Sequence, residues 1–141
     1  MTNRTFAIIK PDAVKNNYSG NIIDHILKSD FKILAARLTR MTLSQAEGFY
    51  GIHKSKPFFK ELTNFMSSGP CWVLALEKEN AVEEWRKTIG TTNPAEADDG
   101  TIRKLYAKSL GENAVHGSDS DENAAIEIGF FFSESDLIAC Q

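Results

Sequence analysis

The sequence is poor in cysteine, carries no excess of positive charge and has no long apolar run. Its two cysteines, Cys71 and Cys140, lack the close spacing of a zinc site and the density of a disulfide-linked fold. Nowhere do about 18 apolar residues follow one another, as a membrane-spanning helix requires. These absences, with the lack of an apolar signal segment, predict a reduced, cytoplasmic protein with no membrane partner.

The charge balance and the glycine pattern argue against two further classes of protein. A net charge of −3 and a pI of about 5.6 disfavour a general nucleic-acid binder, which is usually basic. The nine glycines form neither G-x-x-x-x-G-K-[ST] nor G-x-G-x-x-G, the common glycine-rich phosphate loops. Any bound phosphate must therefore be held by side chains, for which the candidates are Lys10, Arg86, Thr92 and Arg103.

Residues 113–120 concentrate groups that suit chemistry better than core packing. They include His116, Gly117, Ser118 and Asp119. A neutral histidine can attack phosphorus, because its ordinary pKa of about 6.5 leaves a ring lone pair available near neutral pH. A glycine beside it lets a bulky phosphoryl group approach the ring. The alternative is an ordinary polar turn, which Gly, Ser and Asp also favour.

The apolar pattern predicts a single α+β domain over residues 1–141, of which 42% are hydrophobic. We expect strands at 5–9, 31–41 and 71–76, a short strand at the histidine motif, and helices at 20–29, 58–66, 80–89, 102–106 and 121–131. Residues 44–47 have the form of a capping box, which predicts one more helix that ends before Pro57. This order is that of a ferredoxin-like βαββαβ sandwich, a four-stranded antiparallel sheet covered by helices.

The segments that carry the candidate groups occur together, in order and with constant spacing, in one known family. They are residues 9–13, 49–50, 53–54, 57–59, 68–70, Arg86, and residues 90–94, 100–103 and 113–120. Over essentially its whole length the sequence resembles the nucleoside diphosphate kinases. So many ordered matches are far more specific than one short motif.

The resemblance implies an enzyme, a phosphotransferase that moves the γ-phosphate of a nucleoside triphosphate, mainly ATP, to a nucleoside diphosphate. It implies a ping-pong mechanism through a phosphohistidine at His116, with low base selectivity. Tyr50 matches the tyrosine beside that ring, Glu127 the carboxylate that orients it, and Ser118 the serine that bonds this carboxylate. A carboxylate that accepts a hydrogen bond from histidine Nδ1–H would fix the tautomer and leave the other nitrogen free to attack. The alternative for Glu127 is an unpaired position on an exposed helix surface.

The resemblance also assigns the substrate contacts. The assigned positions are Lys10, Arg86, Thr92 and Arg103 for phosphate, Asn113 with Lys10 for ribose, and Phe58 with Leu110 for the base. Mg²⁺ is the expected cofactor. We expect the nucleotide phosphates to carry it, without a direct protein ligand and with Asp119 nearby.

A homo-oligomer follows from the resemblance, and we expect a tetramer rather than a hexamer. Residues 90–111 form a long polar segment that a neighbouring subunit could hold in place. The chain ends soon after the last predicted helix, so no long carboxy-terminal arm is expected. Departures from the family pattern occur at Lys56, Asp99, Trp72 and Trp85, where we expect effects on loop rigidity and subunit contacts and none on the chemistry.

Two other functions stay open from the sequence. A histidine phosphocarrier would pass its phosphoryl group to a protein, and would need neither the aromatic ring of Phe58 nor the amide of Asn113. A non-catalytic nucleotide-binding module would be expected to lack His116 or Glu127.

Overall fold

An antiparallel sheet forms the centre of the fold. The computed structural model describes residues 3–139, so the thiol predicted to be reduced at Cys140 lies outside the described residues. The strands are β1 (Arg4–Ile9), β2 (Lys32–Thr39), β3 (Cys71–Glu77) and β4 (Val115–Gly117). They form one four-stranded sheet in the order β2-β3-β1-β4, in which neighbouring strands run antiparallel. This order confirms the predicted ferredoxin-like α+β fold.

Helices cover both faces of the sheet. Within residues 3–139 the α-helices are α1 (Pro11–Lys15), α2 (Ser19–Lys28), α3 (Leu43–Phe49), α4 (Phe59–Met66), α5 (Ala81–Ile89), α6 (Ile102–Tyr106), α7 (Asp121–Phe131) and α8 (Glu134–Ala139). Short 3-10 turns occupy Gly51–His53 and Pro94–Glu96. Each helix in this part of the chain falls short of the length and hydropathy that a bilayer span demands.

The core consists of two apolar layers separated by the sheet. Because side chains alternate along a strand, Phe6 and Ile8 of β1 enter one layer while Ala7 and Ile9 enter the other. The first layer includes residues of α3, α4, α7 and α8, and the second includes residues of α1, α2, α5 and α6. Burial of β1 on both faces explains why its sequence is a continuous apolar run.

The third helix begins two residues earlier than the sequence pattern predicted. Thr42, and not Ser44, is its N-cap: the Thr42 hydroxyl accepts a hydrogen bond from the Gln45 amide at 3.0 Å, and the Gln45 side chain accepts one from the Thr42 amide at 2.8 Å. Both Thr-x-x-Gln and Ser-x-x-Glu satisfy the capping-box pattern, so the sequence alone did not distinguish them. The helix also ends at Phe49, well before Pro57.

The short strand β4 brings the histidine motif beside the first strand. Its pairing with β1 sets His116 opposite Ile8, at the edge of the sheet. Lys10 follows β1 directly, and Pro11 begins α1 at the first helical position, where its missing N–H costs nothing. The first and last strands of the chain thus bring residues around position 10 and position 114 together.

Candidate active site

His116 is held by a carboxylate from the helix that follows its strand. Its Nε2 lies 2.8 Å from Glu127 Oε1, and the Ser118 hydroxyl donates to the same oxygen at 2.8 Å. The expectation that Glu127 would accept from Nδ1 is wrong. Glu127 lies on α7 and meets the far end of the ring, so Nε2–H is the donor and Nδ1 keeps the lone pair.

Burial keeps the ring of His116 uncharged. The side chain is only 17% exposed. Desolvation lowers the pKa of His116 below its ordinary value; the bond to Glu127 opposes that change, and the charges of Lys10 and Arg103 add to it. A lowered pKa means that the neutral form dominates at pH 7. The site therefore presents a nucleophilic nitrogen at physiological pH.

An aromatic wall surrounds this ring. The centroids of Phe49, Phe6 and Tyr50 lie 5.5, 6.1 and 6.2 Å from that of His116, each with its edge toward the face of the other. The Tyr50 hydroxyl is buried and has no hydrogen-bond partner among the described residues. Burial raises its pKa, so it stays an O–H donor. A buried donor without a partner is well suited to meet a polar ligand atom.

Two buried cations lie behind the histidine. Lys10 Nζ donates to Asn113 Oδ1 at 2.8 Å, and burial, with the charge of Arg103, lowers its pKa to about 8. Arg103 donates to the carbonyls of Gly90, Asn113 and Val115 at 3.0, 3.3 and 2.8 Å. Burial lowers the pKa of Arg103 to about 10, which leaves it charged at pH 7. A guanidinium carries more N–H donors than these carbonyls use, so it can brace the backbone and still meet an anion.

A cleft of about 560 Å³ opens beside the histidine, and we call it the His116 cleft. Its lining includes Arg86, Gly90, Thr92, Thr101, Arg103 and His116. Arg86 and Thr92 are exposed residues of this lining, and we call their part of it the rim. The Asn113 amide donates to the Thr92 carbonyl at 3.4 Å, which links the rim to Lys10. The phosphate candidates named from the sequence therefore lie on connected elements around one ring.

The predicted base-binding residues are set apart from this centre. Phe58 is 49% exposed, with its ring 5.6 Å from that of His53, and Leu110 is 61% exposed. Neither is part of the lining of the His116 cleft. Asp119 is also exposed, and its carboxylate accepts a hydrogen bond from the side-chain amide of Asn123 at 2.6 Å. The stacking role of Phe58 and Leu110 and the place of Asp119 near the metal stay predictions.

Trp85 contacts the main chain of His116, although this departure from the family pattern was expected to affect only loop rigidity and subunit contacts. The indole is fully buried and its Nε1–H donates to the His116 carbonyl at 3.1 Å. A Cβ at Gly117 would lie 2.9 Å from Trp85 Cδ1, so close packing requires this glycine, whatever it does for a phosphoryl group. A buried indole needs an acceptor for its N–H, and that rule was the available signal.

Asp12 and Ala114 form a second contact that the sequence did not reveal. Ala114 adopts φ of +71°, the left-handed region, which costs a residue other than glycine roughly 1–3 kcal/mol. Asp12 Oδ2 accepts the Ala114 amide at 3.1 Å, and the Ala114 carbonyl accepts the Lys10 amide at 2.8 Å. Both backbone groups of Ala114 are thus tied to the residues that follow β1.

The side chains of the site suit phosphate better than a metal ion. Lysine, arginine, threonine, tyrosine and asparagine groups dominate it, and these donate hydrogen bonds to anions. No group of three or more His, Cys, Asp or Glu residues suited to a metal occurs between residues 3 and 139. A metal that entered this cleft would fit as part of a phosphate ligand.

A ferredoxin-like sheet that presents a neutral, carboxylate-held histidine among cations is typical of a phosphotransferase. The comparisons with known proteins make that class specific. The family model described as nucleoside diphosphate kinase matches residues 3–137. The chain belongs to the nucleoside diphosphate kinase family and is a phosphotransferase.

Individual relatives cover nearly the whole chain. A nucleoside diphosphate kinase of Hyphomonas neptunium is 58% identical over 134 residues, 95% of this chain and 96% of that protein. One of Flavobacterium psychrophilum is 57% identical over 132 residues, 94% and 95% of the two chains. Among solved structures, the Aquifex aeolicus nucleoside diphosphate kinase has a TM-score of 0.95 and 40% identity, covering 97% of this chain and 99% of its own. The Halobacterium salinarum enzyme in complex with CDP has a TM-score of 0.91 and 33% identity, covering 97% and 91%.

Proposed function

We propose that this chain transfers the γ-phosphoryl group of a nucleoside triphosphate, mainly ATP, to a nucleoside diphosphate through a phosphohistidine at His116. The observation that carries the proposal is the pairing of His116 Nε2 with Glu127, which leaves Nδ1 as the nucleophile beside a cleft with Arg86 and Arg103. This arrangement supports a ping-pong mechanism, since the same nitrogen can accept and return the group.

In the first half-reaction, Nδ1 donates its lone pair to the γ-phosphorus. The bond from phosphorus to the bridging oxygen breaks, and the nucleoside diphosphate leaves with that electron pair. Arg86, Arg103 and Thr92, which line the cleft, together with Lys10 would balance the charge on the phosphate oxygens. Glu127 stabilises the ring as it gains positive charge. The second half-reaction is the reverse, with a different diphosphate as acceptor.

The remaining substrate contacts follow the predicted assignments. Asn113 and Lys10 meet the ribose hydroxyls, Phe58 and Leu110 hold the base between apolar faces, and the Tyr50 hydroxyl donates to a phosphate oxygen. A relative described in complex with CDP supports a nucleotide as the ligand of this chain. Apolar faces cannot read the edge of a base, which supports low base selectivity.

Magnesium is proposed to arrive on the nucleotide phosphates, near Asp119. Bound there, it would neutralise phosphate charge. The chain itself would hold the phosphate oxygens through Lys10, Arg86, Thr92 and Arg103, whose cationic and hydroxyl groups suit that task.

We propose a homotetramer of one-domain subunits, each spanning residues 1–141, in the cytoplasm. Within the subunit, residues 90–111 are tied down in part: His25 Nε2 lies 2.9 Å from the Gly100 carbonyl, and Arg103 reaches Gly90. Leu105 of this segment is still more than half exposed, which supports a neighbouring subunit as its cover. The unpaired thiol of Cys71 supports a reducing compartment.

Incubation with γ-labelled ATP, isolation of the protein and a chase with GDP or CDP tests the proposed reaction. We expect acid-labile, base-stable label on His116 that moves to the added diphosphate, and we expect His116→Ala to remove both labelling and turnover. Label that survives this substitution, or that leaves only to another protein, contradicts the proposal.

A further inference from the structure

A strained residue lies directly before β4, the strand that carries His116. Ala114 has the left-handed backbone conformation, with φ of +71°, and lies two positions before the histidine. Residues other than glycine rarely adopt this backbone conformation unless the surrounding structure enforces it. Ala114 is fully buried, so neighbouring groups and not solvent must hold its backbone.

The group that meets the amide of Ala114 is the carboxylate of Asp12. Asp12 is 6% exposed, and its Oδ2 accepts the Ala114 N–H at 3.1 Å. On the other side of the same residue, the Ala114 carbonyl accepts the Lys10 amide at 2.8 Å. The side chain of Asp12 and the main-chain amide of Lys10 therefore fix both main-chain polar groups of Ala114.

The bond between Asp12 and Ala114 accounts for only one oxygen of the carboxylate. Oδ1 is buried and has no hydrogen-bond partner among the described residues. Burial raises the pKa of Asp12, against the opposing effects of the Ala114 amide, the Lys10 charge and the main-chain amides of Asp12 and Ala13. The contact that the structure gives this carboxylate near the histidine motif is therefore the bond that Oδ2 accepts from the Ala114 amide.

We propose that Asp12 is a positioning residue, whose bond to the Ala114 amide holds the strained turn and so fixes the direction in which His116 enters the cleft. The inference rests on the proposed function, because it concerns the aim of the histidine in that reaction. Asp12 does not touch the reacting atoms. It acts through two residues of backbone, and a displacement of about 1 Å at the nucleophile can lower the rate about 10²-fold.

The test uses substitutions that separate the hydrogen bond from the charge and from the strain. Asp12→Ala removes the acceptor, while Asp12→Asn keeps an oxygen that can accept the same amide. Ala114→Gly, combined with Asp12→Ala, removes the strain, because glycine adopts positive φ without cost. Asp136→Ala is the matched control, since Asp136 also accepts a backbone amide, that of Ser133 at 2.9 Å, but lies on α8.

The full-length variants are compared in single-turnover phosphorylation by ATP, at slightly acidic pH so that Lys10 stays charged. We expect Asp12→Ala to slow phosphorylation of His116 between tenfold and about 10²-fold with unchanged ATP affinity. Asp12→Asn and the double variant should recover most of the rate, and Asp136→Ala should match the unsubstituted protein. An Asp12→Ala rate equal to that of the unsubstituted protein overturns the proposal, as does an Asp12→Asn variant as slow as Asp12→Ala.

A second readout needs no turnover and separates the two proposals. NMR of isotope-labelled histidine reports which nitrogen of His116 carries the proton. We expect the Nε2–H form in the unsubstituted protein and a loss of that single form in Asp12→Ala, reversed in the double variant. If His116 is never phosphorylated, the proposed function fails; if it is phosphorylated and its ring signals do not respond to Asp12→Ala, only the positioning role fails.

Discussion

His116 and Phe58 occupy opposite kinds of surroundings. The histidine side chain is 17% exposed and is fixed by Glu127, by Trp85 and by the strand pairing of β4, whereas Phe58 is 49% exposed and contacts the ring of His53. In-line attack on phosphorus tolerates little displacement, whereas stacking accepts any base with a flat face. The buried contacts of the fold thus surround the proposed nucleophile, whereas the proposed base-stacking ring of Phe58 lies at the surface.

The largest effect should come from removal of the Glu127 carboxylate, which contacts His116. Glu127→Ala removes the acceptor of both His116 Nε2 and Ser118, so we expect kcat to fall about 10²-fold while nucleotide affinity stays near that of the unsubstituted protein. Steady-state kinetics and equilibrium nucleotide binding measure the two quantities. Glu122→Ala, an exposed glutamate of the same helix, is the control. Equal activity of the two variants would show that the contact of Glu127 with His116 does not contribute to the rate.

The pH profile of kcat/KM should show the loss of charge of the buried Lys10. Lys10 has a pKa lowered to about 8, so it loses its charge as pH rises through that value, and kcat/KM should then fall about tenfold per pH unit. On the acid side, the lowered pKa of His116 keeps the ring neutral, so the decline should begin below the usual histidine range.

Bound phosphate should stabilise the charged form of Lys10, so the profile of kcat should lack the alkaline decline that kcat/KM shows. Below pH 8, Lys10→Gln should have a lower kcat/KM than the unsubstituted protein, and its profile should have no alkaline limb near pH 8. A limb that persists unchanged in Lys10→Gln would assign the titration to another group.

Substitution of the exposed Phe58 should have a weaker effect, and on nucleotide binding alone. Phe58→Ala should raise KM about tenfold, in line with roughly 1–3 kcal/mol for stacking of one base, and leave kcat unchanged. The increase should be similar for ATP, GTP and CTP. Ile52→Ala, in the preceding 3-10 turn, serves as an exposed apolar control. A differential of about 10⁴ among bases in the unsubstituted protein would instead indicate polar readout of base edges.

The smallest effect should be at Trp85, where stability changes more than rate. Trp85→Phe removes the hydrogen bond to the His116 carbonyl and leaves part of a buried volume empty, so we expect a loss of about 1–3 kcal/mol in the free energy of unfolding. Urea denaturation measures this loss. Trp72→Phe, a half-buried tryptophan on β3, should lose less. A larger loss at Trp72 would argue that the Trp85 contact contributes little.

The parts of the fold that follow from periodicity were predictable from the sequence. The run at β1, the apolar spacing in α2 and the turn of helix at α6 each carry their own local signal. The N-cap at Thr42 was not predictable, because two overlapping capping patterns compete and packing selects one. The contact of Glu127 with His116 followed from family resemblance, but the nitrogen involved depends on how α7 meets β4, which no local pattern encodes.

The contacts that brace the site were hidden for the same reason. Trp85 and Asp12 reach the backbone of residues 114–116 from distant parts of the chain, and the partner in each case is a main-chain group. Sequence motifs describe side chains, so a backbone partner and a positive φ at Ala114 leave no trace in them.

The identity of the phosphorylated nitrogen tests the central claim most directly. Phosphorus NMR of the phosphoenzyme, prepared with isotope-labelled histidine, reports through nitrogen–phosphorus coupling which ring atom of His116 carries the group. Because Glu127 holds Nε2, the phosphoryl group should be on Nδ1. A phosphoryl group on Nε2 would contradict the account, since the nitrogen assigned to Glu127 would then be the nucleophile.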